Sequence, residues 1–153
     1  DEETVAVDVV AKGVWNMYGA DIKVRFDTQK VKVIDALEGS GVQVKPGAAW
    51  QADGPSFVAM NTVDPAGEIR FAAARMRPAN GLYGDVVLFT IEFQVLKDAV
   101  DSAWNVDSAL LADPSGKAIE TKIDGQKIEA LLDRNAFVGR ALLPALYRGY
   151  SMR

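Results

Sequence analysis

Between residues 86 and 96 the chain reads Val-Val-Leu-Phe-Thr-Ile-Glu-Phe-Gln-Val-Leu, placing Val87, Phe89, Ile91, Phe93 and Val95 on alternate positions with Thr90, Glu92 and Gln94 between them. Side chains alternate across a β-strand but wind around a helix with a period of 3.6, so only an extended backbone gathers these five on one face. A face of this kind requires a second apolar layer to cover it.

The same period recurs along the chain. Residues 4–10 set Val5, Val7 and Val9 on one side, and residues 20–27 set Ile22, Val24 and Phe26 against Asp21, Lys23, Arg25 and Asp27. Residues 31–37 follow a turn at 28–30, and 56–61 and 68–74 flank Val63-Asp64-Pro65-Ala66-Gly67, where Pro presets φ and Gly supplies the permissive position of a hairpin. Residues 104–112, the turn Asp113-Pro114-Ser115-Gly116, and residues 118–123 and 127–131 complete the pattern. The chain is predicted to be all-β, a two-layer antiparallel sandwich with Val7, Ile22, Val24, Phe26, Val33, Phe71, Phe89, Ile91 and Phe93 in its core. No helix is predicted before Asp133.

At Asp133 the character changes. Residues 1–132 carry 13 Lys and Arg against 20 Asp and Glu, whereas residues 133–153 carry four Arg against one Asp. An acidic domain over 1–132 and a basic, apolar tail over 133–153 is the predicted organisation. The tail holds Phe137, Leu142, Leu143, Leu146 and Tyr147, too apolar to stay in water and too short to form a core. A helical tail would bear Pro144 at a cost of about 3 kcal/mol and Gly139 at about 1 kcal/mol, so an extended conformation is predicted.

Composition removes several functions. A net charge of −4 and a pI near 4.8 leave no basic face for nucleic acid. No His and no Cys are present, which excludes thiol chemistry, disulfides and His-based acid–base catalysis. No apolar run approaches the roughly 20 residues of a membrane-spanning helix. Asp64, Asp107, Asp113 and Asp124 are oxygen donors without EF-hand spacing, so no metal site is assigned. The Glu38-Gly39-Ser40-Gly41 segment has a lone Gly-x-Gly and reads as a turn. Neither a catalytic group nor a cofactor is expected. Trp15, Tyr18, Trp50 and Trp104 are the candidates for a sugar-stacking platform. The chain opens at Asp1 without Met, as either a processed or a trimmed chain does.

The order of strands and turns resembles a cohesin domain. The carrying residues are Gly19-Ala20-Asp21-Ile22-Lys23-Val24-Arg25-Phe26-Asp27 followed by Val31-Lys32-Val33, then Gly84-Asp85-Val86-Val87-Leu88-Phe89-Thr90-Ile91-Glu92-Phe93, and Asp113-Pro114-Ser115-Gly116-Lys117. The likeness covers roughly residues 4–130, with Thr28 where the family tends to place Pro. It implies a jelly-roll sandwich, an extracellular or cell-surface setting and a dockerin partner. In that alignment residues 4–13 look like the second strand, so the first has no counterpart and an apolar groove is left open.

The tail offers an occupant for that groove. Phe137, Gly139, Ala141, Leu143, Ala145 and Tyr147 form one apolar or small face, and Pro144 confines such a strand to an edge. The leading expectation is a non-catalytic filament subunit whose tail inserts into the next copy. The alternatives are a scaffold module docking a dockerin and a carbohydrate-binding module using exposed Trp.

Overall fold

A computed structural model describes residues 3–37, 41–97 and 100–131. These form eleven strands: β1 (Thr4–Met17), β2 (Gly19–Phe26), β3 (Val31–Ile34), β4 (Lys45–Pro46), β5 (Ser56–Asp64), β6 (Glu68–Arg75), β7 (Leu82–Val95), β8 (Trp104–Ala112), β9 (Ala118–Ile119), β10 (Thr121–Asp124) and β11 (Lys127–Ala130). The first sheet has the order β10-β11-β1-β7-β3 with β4 also on β7, and the second has the order β5-β6-β2-β8-β9. The result is the all-β jelly-roll sandwich expected from the alternation. The predicted tail, residues 133–153, lies outside the described residues.

The two inner faces meet where the sequence places them. Ile22, Val24, Phe26, Val33, Phe71, Phe89, Ile91 and Phe93 are buried, while Val7 is half-buried against the same core. Phe71 from the second sheet meets Phe89 from the first with ring centroids 4.8 Å apart, and Phe26 meets Phe93 at 6.0 Å. Fully burying a large apolar side chain contributes about 1.5–3 kcal/mol, so this aromatic seam is a main fastening of the layers.

Strict alternation fails at one point of β7. Val86, Leu88 and Phe89 are all buried, and the ladder with β1 shifts between Val9↔Phe89 and Val10↔Val87. Leu88 is thus the extra residue of a β-bulge, and the apolar phase changes there. The Leu88 carbonyl accepts from Trp50 Nε1 at 2.9 Å and from the Gly47 amide at 3.0 Å. Gly47 has no room for a side chain, since a Cβ would lie 1.9 Å from the Val87 carbonyl oxygen. This contact holds the short 3-10 turn Ala48–Gln51 against the bulge. Arg75, at the inward phase of β6, completes the anchor. Its guanidinium donates to the carbonyls of Ala49 (2.9 Å), Trp50 (2.8 Å), Ala52 (2.6 Å) and Asn80 (3.0 Å).

The start of the chain differs from the prediction. β1 does not end at Val10 but runs fourteen residues to Met17, because Gly13 (φ 68°) and Asn16 (φ 56°) are bulges within the strand rather than its end. Its far half pairs with β11 in parallel, at Ala11↔Ile128 and Lys12↔Glu129. The strand position expected to be empty is therefore partly filled by the chain itself. Along Thr4 to Val10, no described strand lies on the side of β1 away from β7.

A candidate docking face on the second sheet

The outward residues of the second sheet follow from its registers. Across β5, β6, β2 and β8 they align in rows: Phe57, Ala74, Gly19 and Ala112; then Met60, Ala72, Asp21 and Leu110; then Thr62, Arg70, Lys23 and Ser108; then Asp64, Glu68, Arg25 and Asn105. Rows of side chains this close form a continuous surface. The first two rows are mostly apolar or small, and the last two are charged or polar. Leu110 is 57% exposed and Phe57 50%, large values for apolar side chains on a sheet with a formed core beneath it.

The charged half is neutralised within itself. Arg70 grips Asp21 with two bonds, Nε to Oδ1 at 3.2 Å and Nη2 to Oδ2 at 2.9 Å. The hydrogen bond to Asp21, with its charge second, raises the Arg70 guanidinium above its ordinary pKa. Arg25 lies 3.5 Å from both Glu68 and Asp107, and Lys23 lies 3.8 Å from Glu68. Asp107 reaches this face because β8 carries a bulge between Val106 and Ser108. Exposed ion pairs add little to stability, so these groups remain available to a partner that offers its own charges. Four strands about 4.8 Å apart and eight residues at about 3.3 Å give a plane roughly 19 by 26 Å, about 500 Å², the scale of the smaller, transient protein interfaces.

The other candidates are dispersed. Trp50 and Trp104 are buried in the core, and Tyr18 gives its hydroxyl to the Ala79 carbonyl at 2.9 Å. Only Trp15 of the four is strongly exposed, and it stands edge-on to Tyr83 at 5.0 Å and 89°. The expected sugar platform does not assemble, because two of its rings fill the space between the sheets. An open depression of about 430 Å³ lined by Thr4, Lys32, Val33, Ile34, Asp35, Val42 and Gln94 contains a single carboxylate. Among the described residues no cluster of three or more His, Cys, Asp or Glu groups is placed to hold a metal, and no helix is long and apolar enough to cross a membrane. The tail face of Phe137, Gly139, Ala141, Leu143, Ala145 and Tyr147 lies outside the described residues. The docking face itself was not singled out from the sequence. Its signal was the outward phase of β2, where Asp21, Lys23 and Arg25 read simply as a solvated face.

The structure is thus an all-β jelly-roll sandwich whose second sheet presents a broad outer face, half apolar and half charged. The family model described as "Cohesin domain" matches residues 1–130, and the chain belongs to that family. Among solved structures it is similar to a type II cohesin domain from the cellulosome of Acetivibrio cellulolyticus, at 15% identity over 80% of this chain and 82% of that one, with a TM-score of 0.62. Type II cohesin A11 from Bacteroides cellulosolvens is similar at 12% identity, 76% and 81% coverage and a TM-score of 0.61. So is a chain of a type II cohesin–X–dockerin complex from Acetivibrio cellulolyticus, at 11% identity, 83% and 86% coverage and a TM-score of 0.60. At these identities the likeness is one of fold. None of the curated proteins compared with the chain matches it.

Proposed function

We propose that the chain is a non-catalytic, extracellular scaffold module that docks a dockerin-type protein on the outer face of β5, β6, β2 and β8. The observation that carries this reading is the division of that face into an exposed apolar half around Phe57, Met60 and Leu110 and a charged half around Asp21, Arg70 and Arg25. Apolar contacts at the centre of such a surface supply affinity, and the charges fix orientation and partner choice. Family membership supports the same partner class, and the solved complex with a dockerin is of a protein with this fold.

Titration calorimetry against a panel of dockerin modules tests the reading. At least one module binds, and Leu110→Glu weakens that binding by about 30-fold or more, the range of an interface hot spot of ~2 kcal/mol. No binding across the panel, or binding indifferent to Leu110→Glu and Phe57→Asp, would remove the assignment.

The filament reading does not take first place. Its premise was a wholly vacant strand position, and β11 occupies part of that position. What remains open on β1 is a shorter stretch and a separate question.

A further inference from the structure

The unpaired edge of β1 is independent of the docking face, since it belongs to the other sheet. The amide of Val95 donates to the Glu3 carbonyl at 2.8 Å, which marks Glu3 and Val95 as a bonded pair of the antiparallel ladder. Bonded and non-bonded pairs alternate, so in the register Thr4↔Gln94 to Val9↔Phe89 the N–H and C=O groups of Thr4, Ala6 and Asp8 point away from β7. No described strand receives them.

Side chains report the same gap. Val5 and Val7 face inward yet are only half-buried, whereas Val9 and Ala11, level with and next to the β11 pairing, are fully buried. Sheet edges are ordinarily protected by Lys, Pro, bulges or short length. The segment Thr4-Val5-Ala6-Val7-Asp8-Val9-Val10 has no Lys and no Pro, its one irregularity is the bulge of β7 opposite Val9 and Val10, and its one charge, Asp8, accepts a hydrogen bond from Thr90 Oγ1 at 2.7 Å. An edge about 24 Å long and this rich in Val is a template for one more strand.

We infer that this edge receives residues 137–147 of a second copy of the chain, as an added strand with Phe137, Gly139, Ala141, Leu143, Ala145 and Tyr147 turned toward Val5 and Val7. Three observations select that occupant. On alternate positions the segment sets only apolar or small residues on one face, with Arg140 and Pro144 falling on the other beside Val138, Leu142 and Leu146. The tail that carries it, residues 133–153, holds four Arg against one Asp and complements an acidic body. Its point of departure disfavours the same copy: β11 runs parallel to β1 and ends beside Lys12, so the chain leaves it heading away from Thr4–Val10. The six steps from Leu131 to Phe137 reach at most about 22 Å, short of a path back around both strands of the β10–β11 hairpin. A tail entering a neighbour, whose own tail enters the next, is a head-to-tail contact that extends without closing.

Two substitutions separate donor from acceptor. Ala6→Pro removes an amide that β7 does not use and leaves the fold its remaining ladder, while Ala141→Trp overfills the donor face. Light scattering on the full chain measures mass against concentration, and hydrogen exchange reads the amides of Thr4, Ala6 and Asp8. The wild-type chain gains mass with concentration, and those amides exchange about tenfold or more slowly as it does. Each variant alone stays monomeric, and their 1:1 mixture forms dimers that stop, because one copy retains only its donor and the other only its acceptor. A wild-type chain monomeric at every concentration overturns the inference, whether its edge amides are exposed or are protected from within. So does a mixture of the two variants that fails to dimerise while wild type associates.

Discussion

The two sheets offer partners different things. On the second sheet the inner strands are paired on both sides, and what it presents is side chains: an apolar half and a self-neutralised charged half. On the first sheet β1 is paired along its full length to β7 but only at Ala11 and Lys12 to β11, and what it presents is backbone. Side-chain surfaces discriminate among partners by shape and charge, while a bare edge takes any strand whose alternate residues fit beneath it. On the two proposals made above, one chain carries a selective surface and a permissive one, on opposite layers of a single core.

That division breaks first at the points common to both layers. Phe89→Ala empties the seam against Phe71 and is expected to cost about 3–5 kcal/mol, lowering the denaturant midpoint and abolishing docking and strand addition together. Arg75→Met leaves the carbonyls of Ala49, Trp50, Ala52 and Asn80 without their donor, a loss of roughly 3 kcal/mol in chemical denaturation. Loss of one activity alone in either variant would show that the layers are not held by a common core.

Surface changes sharpen the contrast. Leu110→Glu and Phe57→Asp alter side chains that already face water, so each is expected to move stability by no more than about 0.5 kcal/mol while disabling docking and leaving self-association intact. Arg25→Glu reverses a charge between Glu68 and Asp107, and its effect on partner affinity is expected to be only a few-fold and to shrink in high salt. The smallest effect belongs to the turn after β8. Asp113 accepts hydrogen bonds from the hydroxyl and amide of Ser115 and the amide of Lys117, and the Ser115 hydroxyl bond is foremost in holding its carboxyl below the ordinary value. A depressed folded-state pKa stabilises above the unfolded value near 3.8 and ceases to do so as pH falls through the folded one. Asp113→Asn should therefore narrow its stability gap to wild type as pH drops below about 3.8, measured by thermal melts.

Much of this architecture was legible in the residues. Period-two runs located the strands that pair across the core, and 104–112 was bounded correctly because one turn closes at Ala103 and the next opens at Asp113. Gly67 and Gly116, both at positive φ, closed the turns their neighbours announced. What alternation conceals is its own interruption. Leu88 looked outward by count and is buried by a bulge, and Gly13 looked like a strand end but lets β1 continue to Met17. The tiny β4 and the turn at Ala48–Gln51 left no pattern, since a Gly seated on a carbonyl and an Arg bonded to four others act at long sequence separation. The docking face was hidden for another reason. Its rows are made by registers among four strands, and no single strand shows that Leu110 and Met60 flank Asp21 and Ala72.

The central claim is that partner docking belongs to the second sheet. Amide exchange and chemical-shift mapping of the full chain, titrated with a dockerin module that binds it, tests this most directly. The account predicts perturbations concentrated at Phe57, Met60, Asp21, Arg70, Arg25 and Leu110, with Thr4, Ala6 and Asp8 unchanged at a concentration where the chain is monomeric. Perturbations that fall instead along β1, or on the Trp15–Tyr83 pair of the first sheet, would contradict it.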